Sequence, residues 1–206
     1  MIVIVDYQAG NIGSIRNMIK KLGSEAVISS EHSVIDQASK LILPGVGSFD
    51  YGMTKLKDLG LTEVLNRKVI ENRVPVLGIC LGAQLMCRSS EEGTLKGLSW
   101  IGADVKRFPI QSAGVKYTVP HMGWDAVQIK KRSSRLFLDV QEPARFYFVH
   151  SYYIECDDES DVLTANKYSV SYHSAFERGN ILGVQYHPEK SHKFGRQMLK
   201  NFLVNY

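Results

Sequence analysis

The sequence predicts an α/β fold in which a central, mostly parallel sheet is flanked by helices, with antiparallel strands added in the second half. Two observations predict it. Before residue 90, short apolar runs alternate with amphipathic stretches, which is the pattern of βαβ units. After residue 100, strand-like segments follow one another with little helix between them. Because no repeat or linker interrupts the chain, we expect a single domain over residues 1–206.

The first half supplies the parallel part of the sheet. Short apolar runs predict strands at Ile2–Val5, Ala26–Ile28, Lys40–Leu43 and Val74–Ile79. Helices are predicted at Ile12–Leu22, at Phe49–Arg73 with a break at Gly60, and at Cys80–Ser90. Sheets of this kind bind ligands at the carboxyl ends of their strands. The segments after Leu43 and Ile79 are therefore the first candidates for a functional site.

The second half is expected to be mainly β-structure. Segments rich in β-branched and aromatic residues predict strands at Asp104–Phe108, Val115–Val119, Trp124–Ile129, Ala144–His150 and Val162–Asn166. The segments Val170–Phe176 and Asn180–Tyr186 flank a turn at Glu177-Arg178-Gly179 and predict a hairpin. The chain is expected to end in a helix at Ser191–Val204.

Composition excludes several classes of protein. The 206 residues are 44% hydrophobic and 22% charged, which is typical of a globular protein with a sizeable core. No apolar run approaches the roughly 20 residues of a membrane span, so no membrane association is expected. The basic run at 130–135 has no interleaved aromatic residues, which favours a solvated loop over a nucleic-acid site. Three cysteines predict a reducing cytoplasm, and six dispersed histidines predict neither a metal site nor a cofactor.

The segment most typical of chemistry is Gly78-Ile79-Cys80-Leu81-Gly82, which follows the apolar run Val74–Leu77. A strand that ends in G-x-C-x-G is typical of a nucleophile elbow, in which a strand-to-helix turn presents the side chain and glycines allow close backbone approach. Cysteine is also among the most often buried residue types, and most core cysteines are inert. The elbow alone therefore leaves a catalytic and a structural cysteine open.

A candidate base follows a second apolar strand near the C-terminus, in Tyr186-His187-Pro188-Glu189. His187 could accept the Cys80 proton, and Glu189 could hold the imidazole in one tautomer, which is the logic of a catalytic triad. Alone, this segment is more typical of a strand-end histidine beside a surface carboxylate than of a catalytic base. Together with the elbow, it favours covalent catalysis by a cysteine.

These motifs resemble the class I (triad) glutamine amidotransferases, through Gly78–Gln84 together with His187-Pro188-Glu189. Further segments, in the same order along the chain, resemble the glutaminase subunits of imidazole glycerol phosphate synthases. They are Asp6-Tyr7, Gly10-Asn11, Leu43–Gly47, Val119–Trp124, Phe148–Tyr152 and His187–Ser191. The resemblance covers essentially all 206 residues, with departures at Gln8, Ala83 and Asp125.

The resemblance implies a role for each matching residue. Cys80, His187 and Glu189 would hydrolyse glutamine to glutamate and ammonia. The tetrahedral oxyanion would be held by the N–H of Leu81 and by that of Val46 or Gly47, after a peptide rearrangement that glycines make easy. The substrate would be anchored by polar groups near the nucleophile, namely Gln84, Tyr147, His150, Ser151 and Tyr152. Among these, alternation places Tyr147 on the face opposite Phe146 and Phe148.

The resemblance also implies a partner. Ammonia must reach a second site without escaping to water, and the family uses a separate (β/α)8 barrel cyclase subunit, giving a heterodimer. Asn11 and Trp124 would face that subunit. Two alternatives stay open: a paralogous subunit that supplies ammonia for modification of a polysaccharide sugar, and a stand-alone cysteine hydrolase or inactive regulatory domain on the same fold.

Overall fold

The computed structural model describes residues 1–206. Its largest sheet has eleven strands and begins with four parallel ones in the order β2-β1-β3-β4. These strands are β1 (Ile2–Val5), β2 (Ala26–Ser29), β3 (Lys40–Gly45) and β4 (Val76–Cys80). Each lies within two residues of the predicted bounds. The prediction is confirmed. The strands β1, β3 and β4 are buried along most of their length and are almost uniformly apolar, and such runs are easy to detect; β2 lies at the edge and is less buried.

Helices cover both faces of this parallel part. They are α1 (Ile12–Lys21), α2 (His32–Asp36), α3 (Phe49–Asp58), α4 (Leu61–Asn66), which continues as a π-helical turn at Arg67–Glu71, and α5 (Leu81–Leu85). The break predicted at Gly60 is confirmed, and this glycine adopts a φ of 64° between α3 and α4. The short α2 was not predicted.

The remaining strands are mostly antiparallel. In chain order they are β5 (Ser89–Ser90), β6 (Ala103–Arg107), β7 (Gln111–Ser112), β8 (Val115–Lys116), β9 (His121–Ala126), β10 (Gln128–Ile129), β11 (Arg145–His150), β12 (Tyr152–Cys156), β13 (Val162–Lys167), β14 (Ser171–Arg178) and β15 (Ile181–Val184). The chain ends in α6 (His192–Asn205). The predicted hairpin is confirmed as the antiparallel pair β14–β15. β15 also runs parallel to β4, so the two halves of the sheet meet there.

Three predictions of local structure are wrong. The helix predicted at Cys80–Ser90 ends at Leu85, because Ser89 and Ser90 pair with β6 instead. The strand predicted at Val115–Val119 is only two residues long. The strand predicted at Trp124–Ile129 divides: β9 pairs with β11 in a separate two-stranded sheet, whereas β10 pairs with β13 in the large sheet. Strand β12 was missed.

The core lies on both faces of the sheet. Val3, Val5 and Leu41 belong to one cluster of buried residues, and Ile4 and Ile42 to the other, as the two-residue period of a strand requires. Helices α3, α4 and α5 contribute to the first cluster, and α1 and α6 to the second. None of the helices combines the length and apolar character needed to cross a membrane.

Candidate active site

Cys80 lies at the carboxyl end of β4, in the middle of the sheet, directly before α5. Its backbone has φ 53° and ψ −113°, a conformation that non-glycine residues rarely adopt and that is typical of functional sites. The turn is tight, since a Cβ atom on Gly82 would lie 1.7 Å from the carbonyl oxygen of Leu43. The strand–turn–helix context that the elbow motif predicts is therefore present.

His187 reaches the same place from the neighbouring strand. Val184 of β15 stands in register with Ile79 of β4, so the residues that follow β15 lie beside Cys80. The His187 backbone N–H donates to the Tyr147 carbonyl oxygen at 2.9 Å, which fixes the chain there. Its ring Nδ1 lies 2.8 Å from Oε1 of Glu189, and both side chains are at least 96% buried, with 4% and 2% exposed. This contact orients the ring and leaves Nε2 as the nitrogen free for chemistry.

The charge state of His187 follows from its neighbours. Burial lowers the pKa of His187, but the Cys80 and Glu189 side chains outweigh it and raise the pKa to about 9. Among the groups that raise this pKa, the Cys80 side chain contributes most, and Glu189 follows it. At neutral pH the ring is therefore protonated, and it lies beside Cys80 as an acid that can give a proton to a leaving group.

A cavity of about 420 Å³ opens over Cys80 and His187. Its wall contains most of the residues that the resemblance implied for the oxyanion and the substrate, namely Val46, Gly47, Leu81, Gln84, His150, Ser151 and Tyr152. The N–H groups of Val46 and Gly47 donate no hydrogen bond within the chain. They consequently have no hydrogen bond to lose when they turn toward a ligand in the cavity.

Two residues of the site were missed by sequence reasoning. The Gln185 amide donates to the Cys80 sulfur at 3.7 Å, and its oxygen accepts from Gln84 at 2.9 Å. Gln185 stands two residues before His187 and so projects to the same side, which is the one signal that could have found it. Glu92 also lines the cavity, where one carboxylate oxygen accepts from the Phe49 backbone N–H at 2.8 Å. No local pattern marks Glu92.

The comparisons with known proteins agree with this geometry. The family model described as glutamine amidotransferase class-I matches residues 3–206. The chain belongs to the class I glutamine amidotransferases. A relative from Methanococcus maripaludis, imidazole glycerol phosphate synthase subunit HisH 2, is 50% identical over 203 residues, 98% of both chains. The protein of the same name from Pseudomonas aeruginosa is 46% identical over 98% of both chains, and subunit HisH from Leptospira interrogans is 42% identical, with the same coverage.

Solved structures of glutamine amidotransferases share the fold. One superposes with a TM-score of 0.73 at 18% identity, over 98% of this chain and 99% of the other. A glutamine amidotransferase from Thermotoga maritima gives 0.68 at 15% identity, over 98% and 95%. The predicted fold class is therefore confirmed as that of the amidotransferase family.

Of two residues expected near the substrate, Tyr147 and His150, only His150 lines the cavity. Tyr147 does not line the cavity: its ring packs edge-on against Trp124, with the centroids 6.3 Å apart. Phe146 and Phe148 are buried on the opposite face, as predicted. His150 does line the cavity, with Nδ1 2.8 Å from the Tyr152 carbonyl oxygen. Burial lowers the pKa of His150 to about 3, so this ring is neutral and unsuited to act as a second base.

The residues expected at a partner interface lie on the surface. Asn11 is exposed at the start of α1. Trp124 is 39% exposed and stacks on the His192 ring, with centroids 5.2 Å apart. Next to it on β9, Met122 is 65% exposed. An aromatic and a methionine side chain side by side on a surface are typical of protein interfaces. The amidotransferase has no group of three or more His, Cys, Asp or Glu side chains that could hold a metal ion.

Proposed function

We propose that this chain is the glutaminase subunit of an imidazole glycerol phosphate synthase, active in histidine biosynthesis as one domain spanning residues 1–206. It hydrolyses glutamine and delivers ammonia to a separate cyclase subunit. The observation that carries the proposal is the meeting of Cys80 with the His187–Glu189 pair at the base of a cavity. The names of relatives that match nearly the whole chain support it.

The reaction uses Cys80 as the nucleophile and His187 as the group that carries the proton. The Cys80 thiolate attacks the side-chain carbonyl carbon of glutamine and forms a tetrahedral intermediate. The His187 imidazolium then gives its proton to the departing ammonia, leaving a γ-glutamyl thioester on the sulfur. A water molecule, deprotonated by the now neutral His187, attacks the thioester and releases glutamate. Glu189 holds the ring so that Nε2 faces the sulfur throughout.

The negative oxygen of the tetrahedral intermediate needs hydrogen-bond donors that point at it. The Leu81 N–H is one, because it follows the nucleophile at the start of α5. The unbonded N–H of Val46 or Gly47, across the cavity, is the other. One such donor is worth about 3 kcal/mol, or about 10²–10³ in rate.

The charged end of glutamine is recognised at the wall of the cavity. The carboxylate of Glu92 provides a partner for the α-ammonium group, and Ser151 and Tyr152 provide polar groups nearby. The side-chain nitrogen of Gln84 donates to Gln185 and to the Tyr152 carbonyl oxygen. The side-chain oxygen of Gln84 makes neither contact and remains for the substrate. Tyr147 has no part in this recognition and belongs with Trp124 at the partner surface.

The partner is a (β/α)8 barrel cyclase subunit that docks on the surface carrying Asn11 and Trp124, and the heterodimer works in the cytoplasm. The cavity over Cys80 opens to solvent, so ammonia released by this chain alone would be lost as ammonium. A docked partner closes this route and receives the ammonia. No cofactor takes part in the hydrolysis, since the cysteine, the imidazole and the backbone donors supply the nucleophile, the acid and the oxyanion site.

One observation favours a different acceptor for the ammonia. Two relatives carry the name subunit HisH 2, a number that distinguishes them from another HisH. A second copy can serve a paralogous reaction, in which ammonia goes to the sugar of a surface polysaccharide. The two acceptors are distinguished by incubating the purified complex with glutamine and the ribulosyl intermediate of histidine synthesis. Formation of imidazole glycerol phosphate supports the first acceptor, and glutamine hydrolysis without that product supports the second.

The nucleophile is tested by Cys80→Ala in the complex. We expect the variant to lose glutamine-dependent synthesis entirely and to keep synthesis driven by added ammonium salt, because Cys80 is needed only to liberate ammonia. Glutamate release and imidazole glycerol phosphate formation are measured in parallel. If the variant released glutamate at the wild-type rate, this result would contradict the proposed function.

The dependence on a partner is tested by glutaminase rates of the isolated chain, the complex, and the complex with acceptor bound. We expect the rate to rise at each step, by about 10²–10³ overall, if docking aims the second oxyanion donor. A ligand shifts such an equilibrium only through its different affinity for the two states. An isolated chain that is already fully active would favour a stand-alone hydrolase instead.

A further inference from the structure

Tyr7 carries a hydroxyl group that the hydrolysis described above does not use. The residue follows β1, its side chain is completely buried, and its hydroxyl has no hydrogen-bond partner. Most buried polar groups are hydrogen-bonded, and leaving one unpaired is costly. An orphan hydroxyl beside a reaction site therefore needs a physical explanation.

The hydroxyl lies against the loop that faces the nucleophile. A Cβ atom on Gly45 would stand 2.1 Å from the Tyr7 oxygen and 3.0 Å from the backbone nitrogen of Gly82 in α5. The phenol thus occupies the space that a side chain at position 45 would need. Burial raises the pKa of Tyr7, and the charge of Cys80 adds to this, so the hydroxyl keeps its proton and acts as a donor.

The peptide that joins Gly45 to Val46 begins at this glycine, beside the Tyr7 hydroxyl. Gly45 ends β3 opposite Cys80, and Val46 lies in the cavity wall with an unbonded N–H. Rotation of this peptide moves its N–H and its carbonyl oxygen to opposite sides, and a glycine permits the change in backbone angles. When the N–H points into the cavity, the Gly45 carbonyl oxygen points into the protein, where it requires a donor.

We propose that Tyr7 is a positioning residue for this loop. Its hydroxyl donates a hydrogen bond to the Gly45 carbonyl oxygen when the peptide turns its Val46 N–H toward the oxyanion. The hydroxyl is unpaired until the peptide rotates. Formation of the hydrogen bond then favours the loop conformation that stabilises the tetrahedral intermediate. The inference rests on the proposed glutaminase function and adds a residue that holds the oxyanion donor in place.

The test is Tyr7→Phe, which keeps the ring and removes the hydroxyl. In the complex with acceptor bound, we expect kcat for glutamine hydrolysis to fall about five-fold, which corresponds to about 1 kcal/mol. KM for glutamine should not change, because the hydroxyl does not touch the cavity. The rise in rate on binding the acceptor should shrink by the same factor. Thermal unfolding of the isolated chain should not be destabilised, since the lost hydroxyl has no partner there.

Tyr186→Phe is the matched control. Tyr186 is also completely buried with an unpartnered hydroxyl, but its ring stacks on Phe146, with centroids 4.1 Å apart. We expect this variant to keep the wild-type kcat. An unchanged kcat in Tyr7→Phe, an equal loss in Tyr186→Phe, or a Tyr7→Phe chain that fails to assemble would each overturn the inference. A wild-type complex without glutaminase activity would instead overturn the proposed function, so the two failures are distinguishable.

Discussion

The His187–Glu189 pair gives the sharpest prediction. Glu189→Gln keeps the shape of the side chain and removes its charge, 2.8 Å from Nδ1 of His187. The His187 pKa of about 9 stands against 6.5 for a free histidine, a net stabilisation of the imidazolium of about 3 kcal/mol at 1.36 kcal/mol per pH unit. Glu189 is one of two partners that raise it, so its loss should lower the pKa of His187 by at least about one pH unit.

The direction of the pH dependence follows from the raised pKa of His187. The His187 imidazolium is present through neutral pH and is lost as the pH rises through about 9. We therefore expect the alkaline limb of the kcat/KM profile near pH 9 in the wild-type complex and at least about one unit lower in Glu189→Gln. The profile is measured from the rate of glutamate release between pH 6 and 10. Glu92→Gln is the matched control, because this carboxylate lines the cavity without contributing to the His187 pKa.

Two outcomes would refute this reasoning. If the alkaline limb of Glu189→Gln stays near pH 9, Glu189 does not set the charge of the histidine. If Glu92→Gln moves the limb by the same amount, the effect is a general one of charge in the cavity rather than of the pair. The rate of ammonia-driven synthesis should be unchanged in both variants and reports that the complex is intact.

The remaining predictions concern substrate binding and folding. Glu92→Gln should raise KM for glutamine about 10- to 100-fold with little change in kcat in steady-state kinetics, because the proposed contact with the α-ammonium group would be equal in ground and transition states. Gly82→Ala should lower the free energy of unfolding by about 3 kcal/mol in urea titration, because its Cβ would lie 1.7 Å from the Leu43 carbonyl oxygen. The control Gly13→Ala, in α1 with open space around its Cβ, should leave stability equal or raise it by up to about 1 kcal/mol; equal losses would show that packing at the elbow is not the cause.

Much of the fold could be predicted because its signals are local. The parallel strands are short apolar runs bounded by turn residues, and glycine at position 60 separates α3 from α4 through its positive φ. The helix after Cys80 was predicted too long for a physical reason. Residues 86–90 are helix-compatible, but Ser89 and Ser90 gain strand pairing with β6, which lies more than ten residues away in sequence.

The sequence by itself determined the parallel strands, the elbow at Cys80 and the spacing of His187 and Glu189, because each depends on neighbours within a few residues. Only the tertiary structure decided which distant groups meet there. Gln185 reaches the Cys80 sulfur from 105 residues away. Glu92 enters the cavity because its carboxylate accepts from Phe49, and the Tyr7 hydroxyl fills the space beside Gly45. Such contacts are set by how strands pair and helices pack, and no local pattern of side chains records them.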